Sequence, residues 1–87
     1  MAVWGSNGSD PGQFKVPTSI AIGSQGNFFV SEVDNSRVQI FSPEGDYIAE
    51  LAPGILSSPH GLAFDSQGYL YVTDTGNNSV NKFTLAN

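Results

Sequence analysis

The sequence contains no cysteine, a single histidine and only three basic residues among its 87 positions. The lack of cysteine excludes disulfides, which stabilise many small domains, and it excludes zinc sites that depend on thiolates. With His60 as the only histidine, one chain cannot supply a structural zinc site. The sequence also shows no spacing typical of a nucleophile–histidine–acid catalytic triad. Oligomerisation is the common remaining way for so small a domain to bury more surface.

Positive charge is also scarce, because Lys15, Arg37 and Lys82 stand against eight acidic residues and leave a net charge of −5. Three scattered cations cannot displace counterions from phosphates, so we expect no nucleic-acid partner and no anionic membrane surface as a partner. No apolar stretch approaches the length of a membrane span. The first residues lack the basic and long apolar regions of a signal peptide, and the sequence as written predicts a cytoplasmic protein.

What the sequence does contain is a repeat with a period of 42 residues. Segment 17–26 aligns without gaps on segment 59–68, and the match continues as far as Phe41 and Phe83. A period in the low forties suits a four-stranded propeller blade or a helical HEAT-type repeat. Short apolar segments separated by Gly, Asn, Asp and Pro favour strands and therefore an all-β propeller.

We predict seven strands in two blades, with one strand of the second blade missing. The predicted strands cover residues 19–22, 27–32, 37–42 and 47–51 in the first unit, and 61–65, 69–74 and 79–85 in the second. Residues 2–4 have the character of a fourth, outermost strand, and we expect this N-terminal strand to complete the last blade of a ring. The chain then divides into residues 1–16 (outer strand and inter-blade loop), 17–58 (first blade and linker) and 59–87 (three strands of the second blade).

Both faces of each predicted blade are apolar. Adjacent apolar residues, such as Phe28 and Phe29 or Leu70 and Tyr71, suit strands that are buried on both sides, whereas the strands of a half-solvated sandwich alternate. Two blades packed together still leave two bare outer faces, and a terminal repeat without a polar cap is poorly suited to solvent. We therefore expect the chain to close a ring with copies of itself.

Residues at characteristic spacings in the two units indicate the type of repeat. In the first unit they are Gly12, Phe14, Pro17, Gly26, Asn27, Phe29, Val30, Glu32, Asn35, Arg37, Val38, Gln39, Ile40, Phe41 and Gly45; in the second they are Pro59, Asp65, Gly68, Tyr71, Val72, Asp74, Asn77, Val80 and Phe83. This pattern resembles the NHL repeat. Three departures are Ser79, where the family favours Arg, Gly23, where it favours Asp, and the pattern Gly12-x-Phe14, for which we find no counterpart before Pro59.

The resemblance implies a six-bladed propeller, so two blades per chain predict a homotrimer with threefold symmetry. Rings of four or eight blades remain alternatives. The chain is also similar to designed symmetric propellers derived from NHL blades, which leaves open a natural fragment or an engineered unit.

In a propeller the first strand of each blade lines the central channel, so we expect Thr18 and His60 to alternate around it. Three copies of His60 on a threefold axis resemble a His₃ metal site, which would suit zinc or copper and a lyase-like or hydrolase-like activity. The alternative is a solvated histidine in the channel.

We expect the acidic residues Glu32, Asp65 and Asp74 to be structural, because acids at strand ends accept backbone N–H bonds in the turns that follow. Arg37 is expected to pair with Glu32 across a hairpin, whereas Ser79 leaves Asp74 without such a partner. The sequence therefore predicts no catalytic residue and a non-enzymatic, self-assembling scaffold. A metal-binding propeller and a protein-binding or glycan-binding module are the alternatives.

Overall fold

The computed structural model describes residues 2–85, which form two antiparallel sheets in sequence order. The first sheet contains β1 (Pro17–Ile22), β2 (Phe28–Glu32), β3 (Arg37–Phe41) and β4 (Tyr47–Glu50), and the second contains β5 (Pro59–Phe64), β6 (Leu70–Asp74) and β7 (Ser79–Phe83). A short 3₁₀ turn, Thr75–Asn77, connects β6 to β7. The all-β prediction is confirmed, and each of the seven strands begins and ends within two residues of its predicted bounds.

The largest difference at a strand start occurs at two equivalent prolines. β1 begins at Pro17 and β5 at Pro59, two residues before the predicted starts. Each proline pairs with the acid at the end of the next strand, and a register shift follows it. A proline is tolerated as the first residue of a strand because it has no N–H to donate, and the bulge absorbs the irregular pairing.

The turns repeat as closely as the strands do. Four pairs of residues with positive φ are each separated by 42 positions: Gly12 and Gly54, Val16 and Ser58, Gly26 and Gly68, and Ser36 and Asn78. Because few L-residues adopt this conformation freely, its recurrence at matched positions means that the backbone of the second unit copies that of the first.

The two faces of each sheet have distinct roles. We call one the leading face, which carries Ile20, Ile22, Phe28 and Val30 in the first sheet and Leu62, Phe64, Leu70 and Val72 in the second. We call the other the trailing face, which carries Phe29, Ser31, Val38 and Ile40 in the first sheet and Tyr71, Thr73, Val80 and Lys82 in the second.

The core lies between the trailing face of the first sheet and the leading face of the second, which together form the internal interface. Phe29 and Val38 cluster there with Leu70 and Val72. The Phe29 and Phe64 rings meet edge to face with their centroids 5.2 Å apart. At about 25 cal/mol per Å² of buried apolar surface, this cluster is the main source of stability that joins the sheets.

Two loops enter the leading faces, and we call them the first junction (residues 5–16) and the second junction (residues 52–58). In the first junction, the ring of Phe14 packs near that of Phe41 in β3, with the two centroids 5.5 Å apart. Leu56 in the second junction is buried in the core cluster. No helix in residues 2–85 is long and apolar enough to cross a membrane.

Candidate interaction site

The carboxylate at the end of β2 organises the first junction. Glu32 is fully buried and accepts hydrogen bonds from Arg37 Nε at 2.7 Å, Gln39 Nε2 at 2.7 Å, Asn35 Nδ2 at 2.7 Å and the Lys15 N–H at 3.0 Å. We call Glu32, Asn35, Arg37 and Gln39 the Glu32 cluster. Every lone-pair direction of the buried acid therefore has a donor, as a buried charge requires.

The Glu32 cluster holds the first junction through backbone carbonyls. Arg37 donates from Nη1 to the Ser9 carbonyl at 2.8 Å and from Nη2 to the Gln13 carbonyl at 2.7 Å. Gln39 donates to the same Gln13 carbonyl at 2.7 Å and accepts the Gly12 N–H at 2.9 Å. The planar guanidinium supplies donors in several fixed directions, so one side chain holds the loop at more than one backbone carbonyl.

The second sheet has an equivalent cluster without an arginine. Asp74, which is 1% exposed, accepts the Ser57 N–H at 2.7 Å, Asn77 Nδ2 at 2.8 Å and Asn81 Nδ2 at 3.2 Å. We call Asp74, Asn77 and Asn81 the Asp74 cluster. The Ser57 N–H and the amide of Asn77 hold the pKa of Asp74 below its ordinary value, against the opposing effect of burial.

The hydrogen bonds of Glu32 and Asp74 differ in one respect from those expected from the sequence. Glu32 and Asp74 accept their backbone N–H bonds from the junction before the sheet, at Lys15 and Ser57, rather than from the turn that follows the strand. The following turn supplies an asparagine side chain instead, because the acid points back along the sheet to the junction. The acids therefore connect each junction to its sheet.

Asp65 does cap the turn that follows its strand. Its carboxylate accepts the Gln67 N–H at 2.9 Å, the Tyr69 N–H at 3.0 Å and the Tyr71 hydroxyl at 3.0 Å. Desolvation raises the pKa of Asp65, but the bonds from Tyr69, Tyr71 and Gln67 outweigh it, so the pKa lies below its ordinary value. A carboxylate bound in this way is a poor proton acceptor at neutral pH.

Thr18 and His60 lie close together at the starts of β1 and β5. Thr18 Oγ1 donates to the His60 carbonyl at 3.1 Å, and Ser31 Oγ donates to the same carbonyl at 2.8 Å. The exposed imidazole of His60 contacts the Ser58 carbonyl through Nδ1 at 3.0 Å. A carbonyl can only accept, so Nδ1 carries the proton of the neutral ring and the lone pair lies on Nε2.

No group of three or more His, Cys, Asp or Glu side chains within residues 2–85 could hold a metal ion. The acids that the sequence singled out stay apart, each within its own turn or cluster, and the histidine has no carboxylate partner among its hydrogen bonds. Glu32, Asp65 and Asp74 therefore serve as hydrogen-bond acceptors within their own sheets and turns.

Equivalent positions on the two trailing faces differ sharply in exposure. Val38 is 0% exposed, whereas Val80, at the same position of the repeat, is 64% exposed. Val38 is covered by the second sheet through the internal interface, and residues 2–85 provide nothing that covers Val80. The trailing face of the second sheet is therefore a bare copy of a packed surface.

The leading face of the first sheet is exposed along β1, whereas Val30 and Phe41 on the same face are buried. Ile20 and Ile22 are 57% and 61% exposed, while their equivalents Leu62 and Phe64 are half-buried against the core. A groove of about 640 Å³ lies here between β1 and the N-terminal segment, and its lining includes Trp4 and Ile20. Exposed apolar residues beside a groove are a feature of many interaction sites.

Two polar substitutions distinguish the bare trailing face from the packed one. Lys82 replaces Ile40 of the repeat, and its ammonium lies 4.2 Å from the centroid of the Tyr69 ring. Tyr71 replaces Phe29 and donates to Asp65. The second trailing face thus keeps the apolar valine but is more polar around it.

Sequence reasoning missed the roles of Gln39, Leu56 and Gly54. The position of Gln39 between Val38 and Ile40 was the available signal for a buried polar cluster. Leu56 and Gly54 are the counterpart of Phe14 and Gly12 that the sequence analysis failed to find before Pro59. An aliphatic residue stands there in place of an aromatic one, but it packs on the same face.

The family model of the NHL repeat matches residues 14–41 and 56–83, which together are more than half of the chain. Both matches begin at the paired junction residues Phe14 and Leu56. The chain is also similar to the human E3 ubiquitin-protein ligase TRIM32, with 42% identity over 41 residues. That alignment covers 47% of this chain and 6% of the ligase, so it concerns a small part of the larger protein.

Proposed function

The chain belongs to the NHL-repeat family, and from that premise we propose that it is a non-enzymatic scaffold that assembles with its own copies into a propeller ring. Three copies with two blades each give the six blades that the family resemblance implies. The loops at the two ends of the ring then form surfaces for protein partners, as in other NHL domains. The net charge of −5 favours protein partners over nucleic acid.

The observation that carries this proposal is the contrast between Val38 and Val80, at 0% and 64% exposure. The exposed trailing face of the second sheet and the leading face of the first sheet, exposed along β1, are equivalent to the two sides of the internal interface. Repeating that interface between chains joins the trailing face of one copy to the leading face of the next. Such head-to-tail contacts close into a ring when the rotation permits.

Hydrogen bonding supports the same arrangement. Inside the chain, Ser31 on the trailing face donates to the His60 carbonyl. The equivalents of these residues are Thr73 and Thr18, and Thr73 is exposed on the bare face. In the ring, Thr73 Oγ1 of one copy would donate to the Thr18 carbonyl of the next.

The ring also gives a function to residues 2–4, which the sequence predicted as a strand and which pair with no strand within residues 2–85. The second sheet has three strands where the first has four. In the proposed assembly, residues 2–4 of one copy provide the missing outer strand for the second sheet of its neighbour.

The proposal is tested by substitution of Val80 with Asp in the 87-residue chain. Native mass spectrometry and sedimentation should give a trimer for the unaltered chain and a monomer for Val80→Asp, because the new carboxylate would be buried without a partner. Ile55→Asp is the matched control, since Ile55 is 58% exposed but lies in the second junction, and this variant should remain a trimer. If the unaltered chain stays monomeric at high concentration, the proposed ring is wrong.

Metal binding is a second candidate function, and the His60 tautomer favours it. With Nδ1 occupied by the Ser58 carbonyl, the Nε2 lone pair is the one available to a cation. Three such nitrogens on a threefold axis would bind zinc. Equilibration with zinc chloride should give one ion per three chains, and His60→Ala should abolish binding while the trimer persists. Equal zinc content in the variant would contradict this function.

A further inference from the structure

The outer edge of β7 resembles the edge of β3 that β4 occupies. β3 pairs with β4 through Gln39 opposite Glu50 and Ile40 opposite Ala49. The equivalent strand β7 pairs only with β6 among residues 2–85. An unpaired strand edge presents a row of free N–H and C=O groups, and these groups favour the addition of a further strand.

The backbone at the end of β4 defines a reference point. The Leu51 N–H donates to the Val38 carbonyl at 2.9 Å, and Ala52 then turns with φ of 44°. Leu51 belongs to the cluster that covers Leu70 on the leading face of the second sheet. A strand, a large apolar residue and a positive φ therefore follow one another at the entrance to the second junction.

The last two of these features, a large apolar residue and a positive φ, also mark the entrance to the first junction. Trp4 contacts Phe28, with ring centroids 5.0 Å apart, and Phe28 is the equivalent of Leu70. The next residue, Gly5, has φ of 84°. Trp4 therefore occupies the place of Leu51, and Gly5 occupies the place of Ala52.

This equivalence fixes the spacing of the two junctions. Nine positions separate Gly5 from Phe14, and four separate Ala52 from Leu56, so the first junction is longer by five residues. The extra length forms a closed loop, in which the Phe14 N–H donates to the Ser6 carbonyl at 2.8 Å and the Gly8 N–H donates to the Phe14 carbonyl at 3.1 Å. The loop closes on itself and is held by the Glu32 cluster, so the insertion leaves Trp4 and Gly5 in the places of Leu51 and Ala52.

We infer that residues 2–4 pair antiparallel with β7 of a neighbouring copy in one register, with Val3 opposite Asn81 and Ala2 opposite Lys82. This inference rests on the proposed ring. It follows because Val3 takes the place of Glu50 and Asn81 that of Gln39. The Trp4 N–H then donates to the Val80 carbonyl, as the Leu51 N–H does to the Val38 carbonyl.

The register predicts a short distance between the Cα atoms of Val3 and Asn81 in neighbouring copies, and this distance can be tested. The bond from Leu51 to Val38 flanks the Gln39 and Glu50 pair, which identifies that pair as a non-hydrogen-bonded one. In such a pair the Cα atoms are about 4.5 Å apart, within the range that a disulfide spans. Val3 and Asn81 of two copies should therefore accept a disulfide without a backbone shift.

Because the sequence contains no cysteine, any disulfide formed in the cross-linking experiment must involve the introduced residues. The double variant Val3→Cys and Asn81→Cys, once oxidised, should give covalent dimers and trimers on a non-reducing gel, and dithiothreitol should reverse them. The matched control pairs Val3→Cys with Val80→Cys, which lies on the opposite face of β7 and should not cross-link. Each single variant should give no more than traces of dimer. Native mass spectrometry before oxidation reports whether each variant assembles.

The outcomes separate the register from the ring. Cross-linked trimers in the 3 and 81 pair, and none in the 3 and 80 pair, support the register. An assembled trimer that fails to cross-link at 3 and 81, cross-links at 3 and 80, or forms the disulfide within one chain overturns the register and leaves the ring intact. An unaltered chain that is monomeric overturns both.

Discussion

The Glu32 cluster and the Asp74 cluster occupy the same positions of the repeat but use different chemistry. In the first sheet a buried carboxylate meets a guanidinium, and the pair holds a long junction through carbonyls at Ser9 and Gln13. In the second sheet a shorter acid meets two amides, and the junction is held mainly through the Ser57 N–H. Both sheets therefore place a buried hydrogen-bond acceptor at this position, whereas the arginine is present only in the sheet that holds the longer junction.

The largest effect should come from Glu32→Gln. This change leaves the Arg37 guanidinium, at 8% exposure, without its counter-charge, and breaking a buried ion pair costs about 3–5 kcal/mol. Urea unfolding at fixed protein concentration measures the loss in the free energy of unfolding. Glu44→Gln, in an exposed turn, is the control and should change it little. A loss equal to that of the control would mean that Arg37 is satisfied by backbone carbonyls alone.

A smaller effect is expected from Asp74→Asn at the equivalent position. The new amide would present a donor to the donors of Asn77 and Asn81, and an unsatisfied buried polar group costs about 1–3 kcal/mol. No cation loses its partner, so the loss should fall below that of Glu32→Gln under the same conditions. If Asp74→Asn were the more destabilising variant, the distinction between the two clusters would fail.

The smallest effect is the dependence of stability on pH. The pKa values of Asp65 and Asp74 are lowered in the folded protein, so the unfolded chain binds more protons than the folded one. Their contribution is complete above the unfolded pKa of about 3.9 and is lost as the pH falls through the lower folded values. Unfolding at pH 5, 4 and 3 should show this decline. Asp65→Asn combined with Asp74→Asn should flatten it, and an unchanged slope would contradict the assignment.

The sequence predicted the strands well because its signals are local. Turn residues and the spacing of 42 placed all seven strands within two residues, and the positions of Glu32 and Arg37 implied a cross-hairpin pair, which the structure brings to 2.7 Å. The contacts of Arg37 with the Ser9 and Gln13 carbonyls had no sequence signal, because every residue carries a carbonyl. The sequence predicted two bare outer faces, but it could not show that Val80 lies on one of them while Val38 is buried, since both are the same residue in the same pattern.

The first junction has a further consequence, which concerns valency. In a ring of three copies, long and short junctions alternate, so three identical loops recur at intervals of 120° around a sixfold framework of sheets. The loop between Ser6 and Phe14 closes on itself and is held by the Glu32 cluster of its own chain. A partner with several linked binding modules could contact more than one loop at once, and such linkage commonly raises avidity by about 10²–10⁴ over a single contact. A five-residue insertion would then set how many partners, and in what symmetry, the ring displays.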